Sequence, residues 1–160
     1  MGKSSFDKDI LKKLIVVFSS LFGIGFLPIL GGTCASLVAI LFFLLFKNPF
    51  SFFIFSSIIV IFSFPLSTYA EKIFKEKDSP KIVIDDFSGM LLSLLFLPKK
   101  GVFVFLAFIL FRMFDFLKIY PANLWERLEG GKGIVGDDLV AGFYTNIILQ
   151  FLRVILKISS

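Results

Sequence analysis

Apolar residues fill the chain in long runs, and polar residues gather in short stretches between them, a pattern that predicts membrane helices joined by turns. The first run, Leu14 to Leu30, is interrupted by Gly23, Gly25 and Pro28, which predicts a helix that breaks near Gly23. Gly31, Gly32 and Thr33 read as a turn, with Thr33 placed to cap a helix from Thr33 or Cys34 to Phe46. Such a helix is about 21 Å long, short for a hydrocarbon core of roughly 30 Å. Lys47, Asn48 and Pro49 predict a hairpin turn, and Phe50 to Tyr69 is the clearest spanning run, uncharged, with Pro65 a candidate kink.

A polar stretch, Glu71 to Lys81, predicts a water-facing loop. Asp85 and Asp86 then open an apolar segment, Phe87 to Leu97, short enough to leave open whether it spans or re-enters, and closed by Pro98, Lys99, Lys100 and Gly101. Gly101 to about Leu117 predicts another helix, on which Arg112, Asp115 and Lys118 share one side at i, i+3 and i+6. Tyr120 to Gly136 reads as a loop with an amphipathic piece around Trp125, and a last helix starts at Asp137 or Asp138 and runs to about Lys157. The expected fold is all-α: a polytopic membrane helical bundle, one domain over residues 1–160, with about four to five membrane helices, some short or broken.

Composition agrees. The 160 residues are 57% hydrophobic, with mean hydropathy +0.92, outside the range of soluble domains. The net charge of +5 is spread in lysine clusters beside apolar runs, which points to anionic lipid headgroups as partners and away from nucleic acid. The N-terminal stretch resembles a signal peptide but stays apolar beyond any cleavage point, so it reads as an uncleaved membrane-entry segment. Lysines at 3, 8, 12 and 13, with Lys72, Lys75, Lys77 and Lys81, place the side holding the Gly31 turn and the 71–86 and 118–138 loops in the cytoplasm, against Lys99 and Lys100.

Charge beside spanning segments is costly and therefore marks a site. Asp85, Asp86, Asp137 and Asp138, with Asp115 as a fifth, form an all-oxygen ligand set suited to a hard cation, and Mg²⁺ completed by substrate phosphate fits best. Arg112, Lys118 and Lys132 could hold phosphate oxygens, Arg as a fork and Lys as a point charge. Gly130, Gly131, Gly133 and Gly136 would let backbone N–H groups approach an anion, and Thr33 is either a phosphate contact or part of a plain helix-ending turn. With no histidine, and with Cys34 lacking an arginine six residues on, phosphohistidine and cysteinyl-phosphate chemistry are excluded. Asp7-Lys8-Asp9 follows no strand-like run and reads as a solvated segment, which leaves metal-assisted hydrolysis.

Four blocks then acquire a family likeness: GIGFLPILGGT at 23–33, KDSPKIVIDDFSGM at 77–90, FRMFDFLKIYP at 111–121 and GGKGIVGDDLVAG at 130–142. In that order they resemble the phosphatidylglycerophosphatase A family of bacterial Mg²⁺-dependent membrane lipid phosphatases. The resemblance implies hydrolysis of phosphatidylglycerophosphate to phosphatidylglycerol in the bacterial cytoplasmic (inner) membrane. It also implies metal or catalytic roles for Asp85, Asp86, Asp115, Asp137 and Asp138, and phosphate contacts from Arg112 and Lys118. The sequence departs from the family pattern at Asp86, where Glu is usual, at Ile119, where Pro is usual, and at Gly31, where Pro is usual. The competing readings are a divalent-cation transporter, which explains the acids but not Arg112 and Lys118, and a non-catalytic membrane subunit.

Overall fold

A computed structural model of the chain describes residues 3–125 and 128–157, and every regular element among them is helical. In order these are α1 (Lys3–Ser19), a 3₁₀ turn (Ile24–Phe26), α2 (Gly31–Leu45), α3 (Pro49–Phe74), α4 (Ile84–Ser93), α5 (Gly101–Leu117), α6 (Ala122–Trp125) and α7 (Gly131–Ile155). The protein is thus an all-helical membrane protein whose α3 and α7, at 26 and 25 residues, are long and apolar enough to cross a bilayer. Their lengths are about 39 and 37 Å. α3 starts where Asn48 accepts a 2.8 Å hydrogen bond from the Phe50 N–H, with Pro49 in the first turn, and it runs unbroken through Pro65.

At the centre lies α4, packed against α2, α3, α5 and α7. Its ten residues make about 15 Å, too short to cross, and all but Asp86 and Leu92 are buried. The segment left open by the sequence is therefore a half-length helix enclosed by longer ones. Its backbone meets that of α7 almost directly: a Cβ added to Gly89 would lie 2.7 Å from the Asp138 carbonyl oxygen, and one added to Gly142 would lie 2.3 Å from the Gly89 oxygen. Small residues at such a crossing allow the closest helix approach.

Beyond Ser93 the chain leaves the helix, and its carbonyls need partners in apolar surroundings. One stripe of α7 supplies them. Asn146 Nδ2 donates to the Ser93 and Leu95 oxygens at 3.0 and 2.9 Å, Gln150 Nε2 donates to the Leu95 oxygen at 2.9 Å, and Arg153 Nη1 donates to the Phe96 oxygen at 2.8 Å. The spacing i, i+4, i+7 puts all three donors on one helix face.

Several boundaries differ from those expected. α1 begins among the polar residues assigned to a solvated segment and ends at Ser19, short of Gly23, where the Ser19 oxygen accepts the Val83 N–H at 3.0 Å. Gly31 and Gly32 are helical, so Thr33 is not a cap; Leu30 occupies that position without a side-chain bond. α3 continues through Glu71 to Phe74, which shortens the polar loop. The largest shift is in α7, which starts at Gly131 and leaves Asp137 and Asp138 about 9 Å inside the helix. Gly131 serves close packing here: its N–H donates to Thr68 Oγ1 at 2.8 Å, and a Cβ on it would meet the Phe64 oxygen at 1.9 Å.

Candidate active site

Charged residues of three helices, α4, α5 and α7, converge on one cleft of about 310 Å³. Asp85 and Asp86 come from the first turn of α4, Arg112 and Asp115 from the last turns of α5, and Asp137 and Asp138 from α7. Lys118 enters from the residue that ends α5, where φ is +43° and the chain turns away from the helix axis. The dipole at the start of α4 favours the negative charge of its first-turn acids.

Asp85, Asp86 and Asp138 each offer a carboxylate oxygen, and the three atoms lie within 4.8 Å of one another. Asp85 and Asp138 are 7% and 5% exposed. Burial drives the Asp85 carboxyl well above the ordinary carboxylate range, with neighbouring Asp86 as the next cause. Asp86 is pushed up to about 6 by burial, against the pull of the Arg112 guanidinium.

Two cations bracket the acids. Arg112 Nη1 donates to Asp86 Oδ1 and lies 3.2 Å from Asp115 Oδ2, so one nitrogen holds carboxylates from two helices. Lys118 Nζ lies 3.0 Å from Asp137 Oδ2, while Asp137 Oδ1 accepts the Asp138 N–H at 3.1 Å. Asp137 is thereby engaged on both oxygens and Asp115 is engaged by Arg112.

Against this, the buried Asp85 Oδ1 accepts no hydrogen bond among the described residues. An orphaned carboxylate oxygen beside two further carboxylates is costly unless a cation completes it. The donor set is oxygen only, so the residues fit a hard divalent ion such as Mg²⁺. The start of α2 makes room for this arrangement, because a Cβ on Gly32 would sit 2.2 Å from Asp86 Oδ2.

The structure brings together Asp85, Asp86, Asp115, Asp137, Asp138, Arg112 and Lys118. Three other expected positions do not line the cleft. Thr33 is half-buried in the first turn of α2, where Gly31 and Gly32 face the cleft instead. Lys132 is exposed, and the N–H of Gly131 is already used by Thr68. Glycines 131, 133 and 136 are helical, so no anion-cradling loop precedes the acids. Sequence reasoning missed Asp78, which lines the cleft beside Ser79 and raises the Asp85 carboxyl further. Its position inside the 77–90 block was the available signal; the lysines around it made it read as ordinary loop charge.

Comparison with known proteins gives the family. Residues 17–153 match the family model described as phosphatidylglycerophosphatase A. A Bacteroides thetaiotaomicron protein provisionally named phosphatidylinositol-3-phosphatase is 32% identical over 149 residues, covering 88% of this chain and 94% of its own. Phosphatidylglycerophosphatase A of Escherichia coli K12 is 35% identical over 138 residues, 82% of this chain and 78% of its own. The protein of the same name from Haemophilus influenzae is 39% identical over 74 residues, 45% of each chain. No solved structure matches. By the extent of the family match and of the Escherichia coli relative, this chain belongs to the phosphatidylglycerophosphatase A family.

Proposed function

We propose that this chain is a lipid phosphatase that hydrolyses the terminal phosphomonoester of phosphatidylglycerophosphate, releasing phosphatidylglycerol and phosphate, with Mg²⁺ as cofactor. The observation that carries the reading is the convergence of Asp85, Asp86 and Asp138 beside Arg112 and Lys118 in one cleft. Asp85, Asp86 and Asp138 would hold the metal. When bound, Mg²⁺ supplies charge neutralisation on the phosphate and acidifies water.

The remaining work falls to the chain itself. A water oxygen attacks phosphorus opposite the departing glycerol oxygen, the P–O bond to glycerol breaks, and the water's proton is passed to the products. Arg112 and Lys118 offset charge gathering on the phosphoryl oxygens. Asp115 orients Arg112 and Asp137 orients Lys118, each through the ion pair described above. In this reading residues 1–160 form a single multi-pass domain of the bacterial cytoplasmic membrane, the cleft opens on the cytoplasmic side, and the acyl chains stay in the bilayer among anionic lipids.

The test is phosphate release from purified protein in detergent with phosphatidylglycerophosphate, with and without Mg²⁺, comparing the wild type with Asp138→Asn. Mg²⁺-dependent release that the variant loses is expected. Absence of release would favour the cation-transporter or subunit readings. The Bacteroides relative motivates a parallel arm with phosphatidylinositol 3-phosphate, since the cleft's cations and acids address a phosphomonoester whatever the alcohol. Faster release from that lipid would move the substrate assignment while leaving the chemistry intact.

A further inference from the structure

A second cavity, of about 540 Å³, lies at the end of the bundle remote from the acidic cleft. It is bounded by the end of α2, the start of α3, the 96–99 segment and the last turns of α7. Its floor is apolar, with Phe43 4% and Leu97 6% exposed, and Phe96 forms an open wall at 45%. Three cations border it: Lys47, Lys99 and Arg153. No carboxylate among the described residues lines it.

Two of these cations, Lys99 and Arg153, are placed by backbone carbonyls. Lys99 Nζ donates to the Leu44 oxygen at 3.1 Å and to the Phe46 oxygen, and it stands 5.5 Å from the centre of the Phe43 ring. These carbonyls end α2, so the helix dipole fixes the ammonium without neutralising it by a full charge. Arg153 is held to the Phe96 oxygen, and Lys47 is exposed on the turn before α3. A basic rim over an aromatic floor, whose Phe96 wall packs against the exposed Phe53 ring and through it Phe50, has the chemistry of a phospholipid site: a phosphodiester at the rim and an acyl chain along the rings.

We propose that this cavity binds an anionic phospholipid of the leaflet opposite the acidic cleft, with the headgroup phosphate between Lys47 and Lys99 and an acyl chain against Phe96. The site is separate from the hydrolytic reading and stands or falls without it. α2 and α7 each line the cleft near their starts and this cavity near their ends, so a lipid here cannot be the one undergoing reaction.

Native mass spectrometry of the full chain in detergent, titrated with phosphatidylglycerol, with phosphatidylcholine or with the deacylated glycerophosphoglycerol headgroup, tests it. The wild type should retain phosphatidylglycerol in preference to the other two. Lys47→Gln should weaken that retention about fivefold and the Lys47→Gln/Lys99→Gln pair further, at roughly the worth of one surface lysine each. Lys47→Gln carries the test without risk to folding, because Lys47 is exposed on a turn, and it should leave phosphate release unchanged. Equal retention by wild type and both variants overturns the site, as does equal retention of phosphatidylcholine. Equally tight binding of the deacylated headgroup overturns the lipid as its occupant.

Discussion

Gly32 on α2 and Asp86 on α4 are in such close approach that a Cβ at position 32 would fall 2.2 Å from Asp86 Oδ2. Alanine is the better helix former by about 1 kcal/mol, so propensity alone favours Gly32→Ala. The methyl group would displace the Asp86 carboxylate from Arg112 and from the other acids. Activity should fall by about tenfold or more through misplacement, with helical content and melting temperature maintained. Circular dichroism beside a phosphate-release assay checks both halves.

Removing the orphaned oxygen's charge should change how the protein responds to metal. If the cleft holds Mg²⁺ as proposed, added Mg²⁺ should raise the wild-type melting temperature by mass action on the folded state. Asp85→Asn should abolish most of that rise, because Asp85 Oδ1 is a buried carboxylate atom without a hydrogen-bond partner among the described residues. Chelator treatment should lower the wild-type melting temperature to its metal-free value and leave the variant unmoved. Differential scanning fluorimetry in detergent with Mg²⁺, Ca²⁺ and chelator reads the comparison.

Two lysines near each other in sequence should behave in opposite ways. Lys118 lies 3.0 Å from Asp137 inside the cleft, and Lys132 is exposed on α7. Lys118→Ala should reduce kcat by about tenfold to a hundredfold, as loss of a charge-stabilising group does. Lys132→Ala should stay within about twofold, as expected of a solvated charge. A large loss in Lys132→Ala would contradict the placement of the cleft.

For Arg112 the geometry matters as much as the charge. One of its nitrogens holds Asp86 and Asp115 together, a task a lysine ammonium on a different stem performs poorly. Arg112→Lys should lose about tenfold or more in kcat despite keeping the charge. Retention of full activity would show that charge alone suffices.

The broken backbone after α4 offers a test of stability away from the chemistry. Asn146 serves both the Ser93 and Leu95 oxygens, and Gln150 also serves Leu95. Asn146→Leu therefore orphans the Ser93 oxygen, at a cost of about 1–3 kcal/mol. The melting temperature should drop, while Asn146→Gln should recover part of it. An unchanged melting temperature in Asn146→Leu would mean another donor replaces the amide.

Much of this was legible in the chain because intramembrane charge is rare enough to be conspicuous. Asp85, Asp86, Arg112, Asp115, Lys118, Asp137 and Asp138 stand out against apolar neighbours and do meet. Glycines misled: Gly31, Gly32 and Gly131 carry the local signature of turns, yet each is helical, and at 32 and 131 the Asp86 carboxylate and the Phe64 oxygen leave no room for a Cβ. That reason is tertiary and leaves no local trace. The half-length of α4 was visible, but its enclosure was not, since Asn146 and Gln150 read as ordinary polar residues until the carbonyls they serve are known.

The stripe of Asn146, Gln150 and Arg153 also fixes α7 along its own axis. A slide or rotation of that rod would break several hydrogen bonds at one end while moving Asp137 and Asp138 at the other. The register of the acids is thus set by bonds inside the protein, so bilayers of thinner or thicker hydrocarbon should leave the spacing of the reactive groups the same.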